Sequence, residues 1–107
     1  MLEPIYLVEC FWPGVTREAV EAANARAGER AAAARRDGSS LRFLGSLLVA
    51  GDEVVFFQFT AASSDEVTRA SREADLPFDR VAASVWLGGR ARNPAMRRPK
   101  ATKVDSR

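Results

Sequence analysis

Apolar residues crowd into a few short runs separated by turn signals, and the spacing within each run predicts its structure. Ile5 to Trp12 is rich in β-forming residues and ends at Pro13-Gly14, which predicts a first strand closed by a turn. From Thr16 the period changes. Val20, Ala23, Ala27, Ala31 and Ala34 recur at helical spacing, so a helix is expected to run to about Arg36, capped by Thr16 and ended by Asp37-Gly38. Its stripe is mostly alanine, which lets a helix lie close to what it packs on. Gly28 in the middle, worth about 1 kcal/mol against alanine, marks a point where it could break. Leu41–Ala50 and Glu53–Ala61 read as a second and third strand joined by a hairpin at Gly51-Asp52. Ser63-Ser64-Asp65-Glu66 has the capping-box form and opens a second helix to about Asp75, burying Val67, Ala70 and Ala74. Leu76-Pro77 stops it, and Asp79–Leu87 reads as a fourth strand broken by Gly88-Gly89.

The order β-α-β-β-α-β predicts an α+β fold: a ferredoxin-like sandwich with two helices on one face of a four-stranded antiparallel sheet. Such a sheet should be apolar toward the helices and polar toward water. One strand parity, Tyr6, Val8, Cys10, Val55, Phe57 and Phe59, suits the helix side. The other parity holds Ile5, Leu7, Phe11, Val54 and Phe56, relieved only by Glu9, Gln58 and Thr60. An open face this apolar calls for a cover, and the expected cover is the sheet of a second copy, giving a homodimer of the dimeric α/β barrel type. The alternative is a register shifted by one through a bulge, which would turn these residues inward.

Composition sharpens this picture in three ways. At 107 residues the chain makes one domain that buries only about 60–65% of its unfolded surface, a thin core that favours a partner subunit. There is no histidine, which removes the usual general base near neutral pH and the commonest ligand for nickel, zinc and copper. The net charge of +2 is divided: residues 1–87 carry nine Lys+Arg against thirteen Asp+Glu, residues 88–107 seven against one. Residues 1–87 therefore read as the folded domain and 88–107 as a basic, disordered tail. One cysteine, no secretory signal and no apolar run long enough for a bilayer make the cytoplasm the expected location and give no membrane role.

Residues 4–87 resemble a family of small bacterial ferredoxin-like domains of unknown function that bear a nickel-binding label. The resemblance rests on Tyr6-Leu7-Val8-Glu9, on Pro13-Gly14-Val15-Thr16, and on the strand around Ser46 following Leu41-Arg42-Phe43-Leu44. It rests most on Ala74-Asp75-Leu76-Pro77-Phe78-Asp79-Arg80-Val81, similar to that family's closing element. It implies a dimeric α+β barrel and puts nickel forward as a metal. Against that metal stands the lack of histidine, and Glu9 and Cys10 point to opposite faces of one strand. No cofactor is otherwise expected.

The candidate site is a ligand pocket at Glu9, Gln58, Phe56 and Leu7, where two polar groups interrupt an apolar wall. Glu9 is either a ligand anchor or proton-transfer group, or one half of an ion pair with an arginine such as Arg42. Gln58 either meets a ligand or bonds Glu9. Cys10 reads as a buried, inert thiol, Ser46 lacks a nucleophile elbow, and Trp12 and Trp86 read as strand-end packing. Three functions follow. The first is a dimeric domain that binds an unknown small molecule without catalysis. The second is a cofactor-independent enzyme of the same barrel type, an oxygenase, isomerase or decarboxylase with Glu9 as its base. The third is binding of nucleic acid or an acidic partner through Arg90, Arg92, Arg97, Arg98, Lys100, Lys103 and Arg107 of the tail, which has no aromatic residue to stack on a base.

Overall fold

A computed structural model describes residues 4–88. The expected disorder of the tail falls on residues 89–107, outside the described residues. The elements are β1 (Ile5–Phe11), α1 (Arg17–Arg36), β2 (Arg42–Val49), a 3-10 turn (Ala50–Asp52), β3 (Val54–Thr60), α2 (Ser64–Glu73) and β4 (Arg80–Ser84). The strands form one antiparallel sheet in the order β2-β3-β1-β4, and both helices pack on the same face. This is the ferredoxin-like α+β architecture.

The expected strand parity is the one observed. Val8, Cys10, Val55, Phe57 and Phe59 are almost wholly inaccessible beneath the helices, with Tyr6 close behind. The Phe43 ring joins them, its centroid 5.2 Å from Phe59 and 6.4 Å from Phe57. α1 meets this layer with Val20, Ala23, Ala27 and Ala31, all buried. Gly28 does not break α1, which is continuous through it. Its start is fixed by the Thr16 hydroxyl, which accepts from the Ala19 amide at 3.1 Å. The Thr16→Ala protein should lose about 1 kcal/mol in urea unfolding, the usual cost of deleting an N-cap.

α2 is shorter than expected and ends at Glu73. Asp75 adopts φ 59°, and the amides of Asp75 and Leu76 return to the carbonyls of Arg72 and Ser71 at 3.0 Å each, a Schellman ending made without glycine. Arg26 of α1 donates to the Ala74 carbonyl at 2.7 Å and to that of Asp75 at 3.3 Å, satisfying the free end of α2 with a cation. At the start of α2 only half of the capping box forms. Ser63 accepts from the Glu66 amide at 3.3 Å, but the Glu66 carboxylate accepts from Ser39 instead of turning back.

Two strand boundaries need correction. β4 stops at Ser84 rather than Leu87, because Ser84, opposite Ile5, is its last paired residue. Val85, Trp86 and Leu87 are exposed, so Trp86 does not close the core, whereas Trp12 does pack against it. The hairpin between β2 and β3 is wider than a two-residue turn: Glu53 completes it at φ 55°. The Glu53 carbonyl then accepts from the Trp12 amide at 2.7 Å and its carboxylate from the Gly14 amide at 2.9 Å, so this one residue ties the hairpin to the start of α1.

Candidate functional site on the open sheet face

A bulge does occur, but in β2, between Phe43 and Gly45, not in β1 or β3. It reverses the parity of the second half of β2. Ser46 and Leu48 then turn toward the helices, where the Ser46 hydroxyl donates to the Asn24 side-chain carbonyl at 2.8 Å, and Gly45, Leu47 and Val49 turn to the open side. Gly45 sits at φ +131°, a conformation that side chains of L-residues rarely adopt. This position therefore calls for glycine on backbone grounds.

The face away from the helices can be read row by row from the pairing. Across β4, β1, β3 and β2 one row is Arg80, Glu9, Phe56 and Leu47; the next is Ala82, Leu7, Gln58 and Gly45. Ser84, Ile5, Thr60 and Arg42 form a third, and Phe11, Val54 and Val49 lie at the other end. The four residues of the expected pocket, Leu7, Glu9, Phe56 and Gln58, thus form one contiguous block at the centre of the two middle strands. Around it the single chain leaves Phe11 and Leu47 each 56% exposed. In one chain this is a surface rather than an enclosed space.

Glu9 is paired, but not with Arg42. Its carboxylate accepts from the Arg80 guanidinium at 2.6 Å, whereas Arg42 lies on β2 opposite Thr60, two strands away from β1. The pairing follows from backbone register. The Asp79 amide donates to the Glu9 carbonyl at 2.7 Å and the Phe11 amide to the Asp79 carboxylate at 2.6 Å, so the Asp79 side chain carries the ladder past the end of β4 and sets Arg80 beside Glu9. Glu9 is 33% exposed and Arg80 68%, so the pair, which runs from the central block to the edge strand β4, is solvated in the single chain. Gln58 is diagonal to Glu9 and not bonded to it; among the described residues its amide has no hydrogen-bond partner.

Cys10 lies on the other side of the strand with no exposed surface. Burial, then the negative charges of Asp79 and Glu9, push its thiol from 9.0 up to about 12. A thiolate is the form that binds metal or attacks carbon, so this residue is inert in the folded chain. The same shift has a sign in stability. The unfolded thiol releases its proton from about pH 9 upward while the folded one holds it, so this contribution to stability is present below pH 9.0 and is lost as pH rises toward 12. Urea midpoints taken at pH 8 and at about pH 10.5 should fall more for the natural chain than for Cys10→Ala; equal falls would show that the thiol is not held protonated.

These residues do not fit nickel. Glu9 is engaged by Arg80, Cys10 faces away and keeps its proton, and among the described residues no three His, Cys, Asp or Glu side chains gather around one point. No helix of the described residues is long and apolar enough to cross a membrane. Comparison of the chain with family models, with curated proteins and with solved structures finds no match. The functional reading therefore rests on the open face itself. Pattern alone did not reveal Arg80, Leu47 and Val49 as members of that face. Arg80 has the right parity on β4, but a reader of the sequence needs the β1–β4 register to use it.

Proposed function

We propose that this chain is a non-catalytic binding domain that pairs with a second copy through the open sheet face and holds a small molecule between the sheets, beside Leu7, Glu9, Phe56 and Gln58. The supporting observation is the face itself: seven large apolar residues, Ile5, Leu7, Phe11, Val54, Phe56, Leu47 and Val49, share one side of a sheet that no helix covers. Three strands at about 4.8 Å spacing and seven residues at about 3.3 Å rise make a patch of roughly 14 by 23 Å. A contiguous apolar patch of that size is of the kind that marks an interaction surface, and its flat shape suits a stacked sheet. Residues 89–107 are a poor cover, because Met96 and Val104 are their only large apolar residues. In a stacked pair Gln58 offers a ligand the NH2 donor group and the carbonyl acceptor of its side-chain amide within an apolar wall, and Glu9 already has a counter-charge. That pairing favours binding over a general-base role, since the Glu9 carboxylate already accepts from the Arg80 guanidinium at 2.6 Å.

The reading is tested by screening small neutral and anionic fragments against isotope-labelled protein by NMR. Shifts are expected to cluster at Leu7, Glu9, Phe56 and Gln58. Fragments that perturb only the helices, or none that bind anywhere, would count against a ligand site on this face.

A further inference from the structure

The bulge in β2 leaves a gap in the open face. On that side β2 presents Arg42, Gly45, Leu47 and Val49 in turn, so the place between Arg42 and Leu47 carries no side chain. A Cβ built at Gly45 would meet no atom within 4 Å, so the space there is open. Arg42 stands opposite Thr60 and Leu47 opposite Phe56, which sets the two ends of the gap roughly 13 Å apart along the sheet. Gln58 lies opposite the gap itself, with its side-chain amide unpartnered among the described residues. Arg42 is exposed and unanswered. The ion pairs of the described residues are Arg17–Glu21, Arg30–Glu73 and Arg80–Glu9, and Arg42 takes part in none of them.

We infer that this gap seats a small carboxylate carried on a flat apolar ring. The carboxylate accepts from the Arg42 guanidinium and the Gln58 amide, and the ring lies over Gly45 against Leu47 and Phe56. This rests on the reading of the open face as a ligand site, and it names the class of ligand. Charge, shape and polarity each select that class. The one acid on the open face is Glu9, already held by Arg80, so a second copy's face brings no anion for Arg42. A guanidinium brought toward a stacked sheet needs such an anion, and its planar fork matches a carboxylate through two parallel hydrogen bonds. One free cation suits a monoanion and would leave a phosphate dianion half answered. The floor of the gap is bare backbone, and a flat ring can approach a strand closely where no Cβ stands. One end of the gap is cationic and the other is apolar, with Leu47 56% exposed, so a ligand with one charged and one apolar end has a single favoured orientation.

The test titrates benzoate and its neutral counterpart benzamide into the isotope-labelled full chain by NMR, near neutral pH and at constant ionic strength. Benzoate is expected to bind more tightly than benzamide by about tenfold or more, the worth of a hydrogen bond to a charged group. Its shifts should centre on the Gly45 amide, the Gln58 side-chain NH2 and the Arg42 Nε–H. Arg42→Gln changes an exposed residue with no ion-pair partner, and its spectrum away from the gap should match that of the natural chain. It should lose the advantage of benzoate while benzamide binds as before. Arg17→Gln removes the same charge from an exposed site on α1 and should lose none of it. Benzoate that binds no better than benzamide, that binds Arg42→Gln as well as the natural chain, or that shifts signals only elsewhere overturns the inference. If neutral fragments still bind beside Leu7, Glu9, Phe56 and Gln58, the ligand site of the open face stands and only its assignment to a carboxylate falls. If neither benzoate nor any other fragment binds that face, both fall together.

Discussion

On the proposed pairing through the open face, Phe56→Arg should halve the mass of this protein in solution without unfolding it. Phe56 stands at the middle of the open face, between Glu9 on β1 and Leu47 on β2. In a single chain an arginine there is well tolerated: its stem covers the same apolar neighbours and its head lies across from Glu9, an opposite-charge pair on adjacent strands. Beneath a second sheet the same cation would be desolvated next to an acid that Arg80 already occupies. An inadequately paired buried charge costs about 3–5 kcal/mol, which weakens association more than about 100-fold. Size-exclusion chromatography with light scattering should therefore give the single-chain mass, while the melting profile stays cooperative. A variant that keeps the mass of the natural protein would place the contact between copies somewhere other than this face.

The neighbouring residue predicts the opposite outcome. Phe57 lies one step along β3, points to the helices and has no exposed surface. Phe57→Ala removes a ring packed against Phe43 and should cost about 3–5 kcal/mol, from lost transfer energy and from the cavity that remains. For a domain of this size that is a large share of total stability, and Tm at fixed protein concentration should fall by well over about 10 °C. Opposite expected outcomes at two adjacent phenylalanines, one in association and one in folding, follow from their places on the two apolar faces of the sheet. If Phe57→Ala melts within a few degrees of the natural chain, the assignment of inner and outer faces is wrong.

Most of this arrangement was legible because it depends on local pattern. The alternation in β1 and β3 has a period of two, so Tyr6, Val8 and Cys10 separate from Ile5, Leu7 and Phe11 without knowledge of any partner strand. Thr16 and Ser63 announce helix starts because a hydroxyl ahead of a helical period has few other uses. The features that escaped depend on register or on the backbone. Arg80 rather than Arg42 meets Glu9 because Asp79 extends the β1–β4 ladder, and nothing in the spacing of Glu9 and Arg80, seventy-one residues apart, encodes that. The bulge at Phe43 and Gly45 reverses the parity of Leu47 and Val49, and a glycine inside an apolar run signals it only weakly. Asp75 ends α2 in a left-handed conformation that glycine usually fills. Val85–Leu87 continues the β-forming composition of β4, yet the pairing with β1 stops at Ser84. For the candidate site, the sequence placed Leu7, Glu9, Phe56 and Gln58 together because parity is enough for that; what surrounds them required the register.

The central claim is that the open face is covered by a second copy of the chain, and the native mass of the unmodified protein over a range of concentrations tests it most directly. The account predicts about twice the 11.7 kDa of one chain, persisting on dilution into the low micromolar range. A mass of one chain at every concentration would contradict it and leave Leu7, Phe11, Leu47 and Phe56 as a surface for some other partner.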